Sequence, residues 1–264
     1  MWLKQTDKPL YPEILWSRPE NRNGAGRLLI IGGNAHAIAA PATAFAAAED
    51  AGAGAVRVIL PDHVRKTFGK FLPEAFFAPS TPSGSFGTSA LTELLTQTEW
   101  ADAVLLAGDF GRNSETASMI EKFVFKYDGL LCITQDTVEH CYNFADKLVV
   151  RPNTLIVGSF AQIQKLATSS KAPKSLQFSD GLVRNVGAVG AWSKTVSVCF
   201  LTRLGDDLIL AKDETVVTSR SKEPKKWRVE TAARATVWWL QNPKKQLEAI
   251  STSCYIFNSD KNAL

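Results

Sequence analysis

Two glycine turns and one basic run hold most of the groups in this chain that could do chemistry. At Gly32-Gly33-Asn34, adjacent glycines follow the apolar tetrad Leu28–Ile31 and precede an alanine-rich stretch from Ile38 to Ala51. Glycine enters left-handed backbone conformations without steric cost, so such a turn can aim peptide N–H groups at a ligand. A helix starting just after it would add unpaired N–H groups and a partial positive charge, a combination suited to an anion. The turn has neither the GK[ST] of a P-loop nor a GxGxxG fingerprint, so a ligand cradle and a purely structural turn are both open on spacing alone. A second turn, Ala107-Gly108-Asp109-Phe110-Gly111-Arg112, follows the run ADAVLL at 101–106. The basic run, Ser219–Arg228, sets Arg220, Lys222, Lys225, Lys226 and Arg228 against Glu223 alone. It reads as a solvated loop or as a loop that faces phosphate.

Other reactive residue types lack a pattern. Cys132, Cys141, Cys199 and Cys254 contain no CxxC pair and read as free buried thiols of a cytoplasmic protein. His36, His63 and His140 share no ligand spacing, so no metal site of the protein's own is expected. The net charge of +4 is modest. Trp238-Trp239 beside the basic run would make a stacking platform in a nucleic-acid binder, but no RNA-binding signature accompanies them, and packing along a helix face is the expectation. No apolar run approaches the roughly 18 residues that a bilayer span needs. Met1–Trp16 lacks the apolar centre of a secretory signal.

The elements that must position these groups alternate along the chain. Strands are expected at Leu28–Ile31, Ala55–Leu60, Ala101–Leu106, Leu130–Ile133 and Lys147–Val150. Helices are expected at Ile38–Ala51, Thr88–Thr98, Glu115–Tyr127 (with Ser114 as N-cap), Asp136–Tyr142, Phe160–Ala167 and Gly181–Trp192. Short β-rich segments at Val196–Leu201, Asp207–Ala211 and Thr215–Thr218 read as an antiparallel extension. Two helices, Val229–Leu240 and Lys244–Tyr255, close the chain. Strands alternating with helices imply a mainly parallel sheet flanked by helices. Its 264 residues suit one domain, residues 27–264. Residues 1–26 are expected to form a surface arm that packs Trp2, Tyr11 and Trp16 on that domain. Ligands on such sheets bind at the carboxyl ends of strands, near a switch in strand order. That rule selects three turns: Gly32–Asn34, Ala107–Arg112 and Arg151–Thr154.

From Arg27 to Phe257 the order of motifs resembles the ADP/ATP-dependent NAD(P)H-hydrate dehydratases, a branch of the ribokinase-like superfamily. The first family motif is matched by Gly32-Gly33-Asn34, Ala39-Ala40-Pro41, Gly52-Ala53-Gly54 and Pro61. Later motifs are degenerate. Asp109 stands where the family has a glycine against the substrate. Ile133–Val138 keeps only Asp136 of two acids. Arg151–Ile156 keeps the proline of a Thr-Pro-His-x-Gly-Glu motif, with Asn153 for histidine and Ile156 for the acid. The Gly-Thr-Gly-Asp anion hole is replaced by Trp227-Arg228-Val229-Glu230, and a Lys-Gly pair is lost at Leu201–Arg203.

The resemblance implies a ribokinase-like α/β fold in which ADP or ATP, with Mg2+, drives removal of water from a hydrated NADH or NADPH. Glu230 would be the catalytic carboxylate, and Gly32, Gly33, Asn34, Ala40, Asp109 and Asn153 would line the substrate side. Arg203, Arg228 and Val229 would face the nucleotide, with Arg228 replacing lost amide donors. The alternative is a catalytically silent relative that binds nucleotide or assembles into a homo-oligomer, a reading that the substitutions at Asp109, Asn153, Ile156 and Val229 favour. Losing one oxyanion-type donor commonly costs about 10²–10³ in rate. A kinase ranks below both, and a nucleic-acid binder last. Nothing in the chain suggests a membrane partner.

Overall fold

Short runs of Leu, Ile, Val and Ala without polar alternation are what strands buried on both faces require, and such runs make the middle of the sheet. The computed structural model describes residues 1–69, 75–221 and 227–258. Residues 222–226 of the basic run therefore lie outside the described residues. The strands are β1 (Trp2–Lys4), β2 (Arg27–Gly32), β3 (Ala55–Pro61), β4 (Phe76–Ala78), β5 (Ala103–Gly108) and β6 (Leu130–Thr134). They continue as β7 (Thr154–Val157), β8 (Cys199–Leu204), β9 (Asp207–Lys212) and β10 (Thr215–Arg220). They form one sheet in the order β1-β10-β9-β8-β7-β6-β5-β2-β3-β4. From β8 to β4 every pair is parallel, whereas β8-β9-β10 is an antiparallel meander and β1 joins β10 in parallel.

Helices cover both faces: α1 (Pro12–Trp16), α2 (Ala39–Asp50), α3 (Arg65–Phe68), α4 (Ala90–Thr98), α5 (Ser114–Lys126) and α6 (Thr137–His140). The rest are α7 (Ala145–Leu148), α8 (Phe160–Ser169), α9 (Gly181–Ser193), α10 (Trp227–Gln241) and α11 (Gln246–Asn258). The two-residue period of the strands divides the core. Leu28 and Ile30 pack with α2, α10 and α11, while Leu29 and Ile31 pack with α4 and α5. Ala44, Ala47 and Ala48 of α2 and Ala232, Ala233 and Ala235 of α10 are buried in the first layer, so small side chains let these helices lie close. Trp238 and Trp239 are each 1% exposed and belong to this core, which removes the stacking platform. All four cysteines are free and buried. Among the described residues no helix is long and apolar enough to cross a membrane.

Three expectations are corrected. Lys147–Val150 is not a strand: Ala145–Leu148 is a helical turn, and β7 begins at Thr154. Short apolar runs do not distinguish a buried strand from a buried helical turn. Asn113, not Ser114, caps α5; its side chain accepts the N–H groups of Glu115 (2.8 Å) and Thr116 (3.4 Å). Trp16 is 87% exposed and does not pack on the domain. Trp2 does reach it, with Nε1 donating to Thr218 Oγ1 at 3.0 Å.

Arg151, only 8% exposed, ties the amino end of β7 to its neighbours. Its guanidinium donates to Val124 O (3.0 Å), Gly129 O (3.1 Å), Thr154 Oγ1 (2.7 Å) and Tyr127 O. Arg151→Met would leave these acceptors without their charged donor, and hydrogen bonds to charged groups are worth about 1.5–3 kcal/mol each. A loss of about 3 kcal/mol is expected, read as a lower urea midpoint at unchanged slope.

Candidate functional site

In the strand order, β3 and β4 extend from β2 on one side, and β5 returns to its other side. The crevice at the carboxyl ends of β2 and β5 is thus the switch point, where doubly wound sheets hold ligands. Both glycine turns meet there. Gly33, at φ +92°, donates its N–H to Gly108 O at 3.0 Å. A Cβ on Gly32 would stand 2.5 Å from that same carbonyl, so glycine at 32 is a requirement of the contact. Asn34 holds its own turn by accepting the His36 N–H at 2.8 Å, and its Nδ2 donates to Asp109 O at 2.6 Å.

The decisive contact belongs to Asp109. Its Oδ2 accepts the N–H of Ala40 at 2.7 Å, in the first turn of α2. The helix amide and dipole that could have received an external anion are engaged by an internal carboxylate. Asp109 reaches this position from φ +59°, a conformation that Asp and Asn tolerate better than most residues with a Cβ. On its other side the loop is held by α6: Asp136 Oδ2 accepts the Gly111 N–H at 3.0 Å. His140 Nε2 lies 2.8 Å from Gly111 O, and since a carbonyl only accepts, that nitrogen carries the proton. Burial raises the pKa of the Asp136 carboxyl; the Gly111 N–H and the His140 charge oppose the rise, and the Asp109 charge adds to it.

Gln162, 7% exposed, joins three elements at the carboxyl edge. With Ser159 it forms the capping box of α8. Its Nε2 donates to Gln135 O (2.9 Å) and Glu139 Oε1 (3.1 Å), and its Oε1 accepts from Arg228 at 3.0 Å. Burial lowers the pKa of Arg228, against the charges of Glu139 and Asp136. Gln162 and Glu139 belong to none of the motifs read from the sequence, and His140 was weighed there only as a metal ligand. Ser159-x-x-Gln162 was a readable capping-box signal, whereas the partners of the other two lie on different elements.

The expected site residues do not all converge. Gly32, Gly33, Asn34, Ala40 and Asp109 do meet at the switch point. Asn153 does not: it precedes β7, at the amino edge of the sheet, where its carbonyl accepts the Leu131 N–H at 2.9 Å. Its assignment to the substrate side is corrected, because a strand displaced by several residues exchanges one edge for the other. The turn at the carboxyl end of β7 is Gly158-Ser159. Arg203 ends β8 at the carboxyl edge, with Nε donating to Gly205 O at 2.7 Å and the guanidinium 3.6 Å from Asp206. Val229 is 2% exposed and packed in the core. Glu230 stands two residues from Arg228, about 200° around the helix. Its carboxylate lies 3.7 Å from Arg234, which pairs with Asp50 of α2 at 3.2 Å.

No family model matches the chain. Over 101 residues it is 37% identical to a bifunctional NAD(P)H-hydrate repair enzyme of Methanothermobacter thermautotrophicus, a match covering 38% of this chain and 19% of that protein. The chain therefore spans about a fifth of that relative's length. Among solved structures, a ribokinase-like superfamily protein from Enterococcus faecalis superposes with a TM-score of 0.74 at 15% identity, over 97% of this chain and 86% of that one. The ADP/ATP-dependent NAD(P)H-hydrate dehydratase from Bacillus subtilis, co-crystallised with ATP and Mg2+, gives 0.64 at 11% identity, over 96% and 88%. The fold is ribokinase-like α/β, with its switch point between β2 and β5. Within that fold the likeness read from the sequence stands: it is to the NAD(P)H-hydrate dehydratases.

Two outcomes follow from this geometry. Removing the Asp109 cap should cost most in Asp109→Ala, about 1–2 kcal/mol, because a helix-capping acceptor is lost while a Cβ stays in the left-handed region. Asp109→Gly should cost less and Asp109→Asn least; an alanine variant as stable as wild type would show the Ala40 bond to be idle. For Asp136, whose native pKa lies above the ordinary 3.8, the folded state retains a proton that the unfolded chain has released. Stability should therefore fall as pH rises from the ordinary value through the raised one. Urea titrations at several pH values should show this component missing from Asp136→Asn.

Proposed function

We propose that this protein is a catalytically silent relative of the NAD(P)H-hydrate dehydratases that binds a nucleotide through its phosphates at the carboxyl edge of the sheet. The observation that carries the reading is the Asp109 carboxylate on the Ala40 amide, which fills the anion position of the switch-point crevice from within. A nicotinamide nucleotide entering there would meet a negative charge instead of a free helix amide. The placement of Glu230 supports the same reading, since its carboxylate is paired with Arg234 and turned away from Arg228. Arg228 and Arg203 supply cations at the carboxyl edge, and a guanidinium grips phosphate well. The described residues hold no cluster of three or more His, Cys, Asp or Glu side chains, so Mg2+ would arrive with the phosphates of ADP or ATP and keep several of its waters.

A second reading keeps the reaction, ADP- or ATP-driven elimination of water from hydrated NADH or NADPH. The 37% identity over 101 residues to a repair enzyme favours it. It requires Asp109 to leave Ala40 and Glu230 to leave Arg234.

Thermal-shift titrations with ADP, ATP, NADH and NADPH, followed by incubation with hydrated NADPH, separate the two. The expected result is a rise in Tm with ADP or ATP, abolished in Arg228→Ala, and no turnover above the uncatalysed rate. No shift with any of the four at millimolar concentration would remove nucleotide binding. Turnover by the wild type would establish the second reading, and turnover surviving in Glu230→Ala would deny Glu230 the role of base.

A further inference from the structure

Arg228 stands in the first turn of α10 and is half-buried. Among the described residues its hydrogen bond runs from Nη1 to Gln162 Oε1 at 3.0 Å, and no ion pair joins it to a carboxylate. A guanidinium carries five N–H donors, so most of them are left for a ligand. The Gln162 amide has one orientation only. Its Oε1 also accepts the Ser159 N–H at 3.0 Å, while its Nε2 donates to Gln135 O at 2.9 Å and Glu139 Oε1 at 3.1 Å. Turned over, it would set donor against donor on one side and acceptor against acceptor on the other. The Glu139 carboxylate is thereby held by the amide and not by the arginine. The capping box of α8 does not itself require an amide at 162, because such a box closes equally well with glutamate. A glutamate there would repel Glu139 and pair with Arg228.

We infer that Gln162 is the positioning residue for the Arg228 guanidinium, anchoring it through a neutral oxygen so that its charge stays available to a phosphate at the carboxyl edge. The inference rests on the reading of Arg228 as a phosphate contact, and adds what sets the strength of that contact. A carboxylate at the same point would grip the guanidinium through a charge-assisted bond of its own and compete with the ligand. An apolar side chain would leave the guanidinium without a fixed direction, and ordering it would then cost part of the binding energy.

The test moves one negative charge. In the double variant Gln162→Glu/Glu139→Gln the net charge of the site is unchanged, and the carboxylate is transferred onto Arg228. The full chain and its variants are titrated calorimetrically with ADP and with inorganic pyrophosphate. The Arg228 side-chain NMR signal, assigned by its loss in Arg228→Lys, is followed in parallel. The expected result is an ADP Kd about tenfold higher or more in the double variant, and within about threefold of wild type in Glu139→Gln. Gln162→Met should change the Arg228 signal even without ligand, because the anchor is gone. Equally tight ADP binding in the double variant overturns the inference alone, as does an Arg228 signal that Gln162→Met leaves unchanged. No ADP binding by the wild type, with pyrophosphate still shifting the Arg228 signal, removes the nucleotide and sustains the positioning role. No response to either ligand removes the phosphate contact and this inference with it. If the double variant does not unfold cooperatively in urea, Gln162→Met decides.

Discussion

Parallel strands can be joined only by crossovers, and the point where those crossovers change direction organises this molecule. That point lies between β2 and β5. From Leu28 and Ala103 onward both strands are buried on both faces, so those residues are apolar and the chemistry is confined to the turns at the strand ends. The contact of Gly33 N–H with Gly108 O closes the two turns on each other; a side chain at 32 or 108 would collide with the facing turn, and residue 33 is held at φ +92°, which favours glycine. Everything else at the carboxyl edge is arranged around that closure. The start of α2 is set by the first turn, the loop from Gly108 to Gly111 by the second, and α6 grips the far side of that loop.

Within this frame a substitution at one position changes what the crevice can do. An Asp at 109 can reach the Ala40 amide because its backbone adopts φ +59°, the conformation a glycine would adopt freely. The amide at the start of α2 is thus met by a carboxylate from the chain itself. A carboxylate held there repels phosphate and occupies its volume. The half-buried Asp136 and the pair Gln162–Arg228 extend the same internal network from α6 to α10. At α10 the absence of glycines lets Val229 bury itself in the core, and helical geometry carries Glu230 to the α2 side.

The likeness to NAD(P)H-hydrate dehydratases is one of fold over nearly the whole chain. Similar structures over nearly the whole chain at 11–15% identity show that the fold depends on patterns of apolar burial more than on particular residues.

How much of this could be read beforehand follows from the range of each interaction. The βαβ start, the alanine-rich helix, the central strands and the antiparallel meander were legible, because periodicity and turn residues act over a few neighbours along the chain. The resemblance at Gly32–Pro61 was legible for the same reason. The edge occupied by Asn153 was not, since an apolar run such as Lys147–Val150 serves equally as strand or helical turn, and moving the strand by a few residues inverts which end faces the ligand edge. That residue 109 is an Asp was plain from the sequence, and so was its conflict with phosphate. That its carboxylate lands on the amide of Ala40, 69 residues earlier in the chain, was decided only by folding. So was the pairing of Arg234, one helical turn beyond Glu230, with Asp50 of α2. Local sequence sets which segments become strands and helices; where a side chain's charge ends depends on which distant segments the sheet order brings beside it.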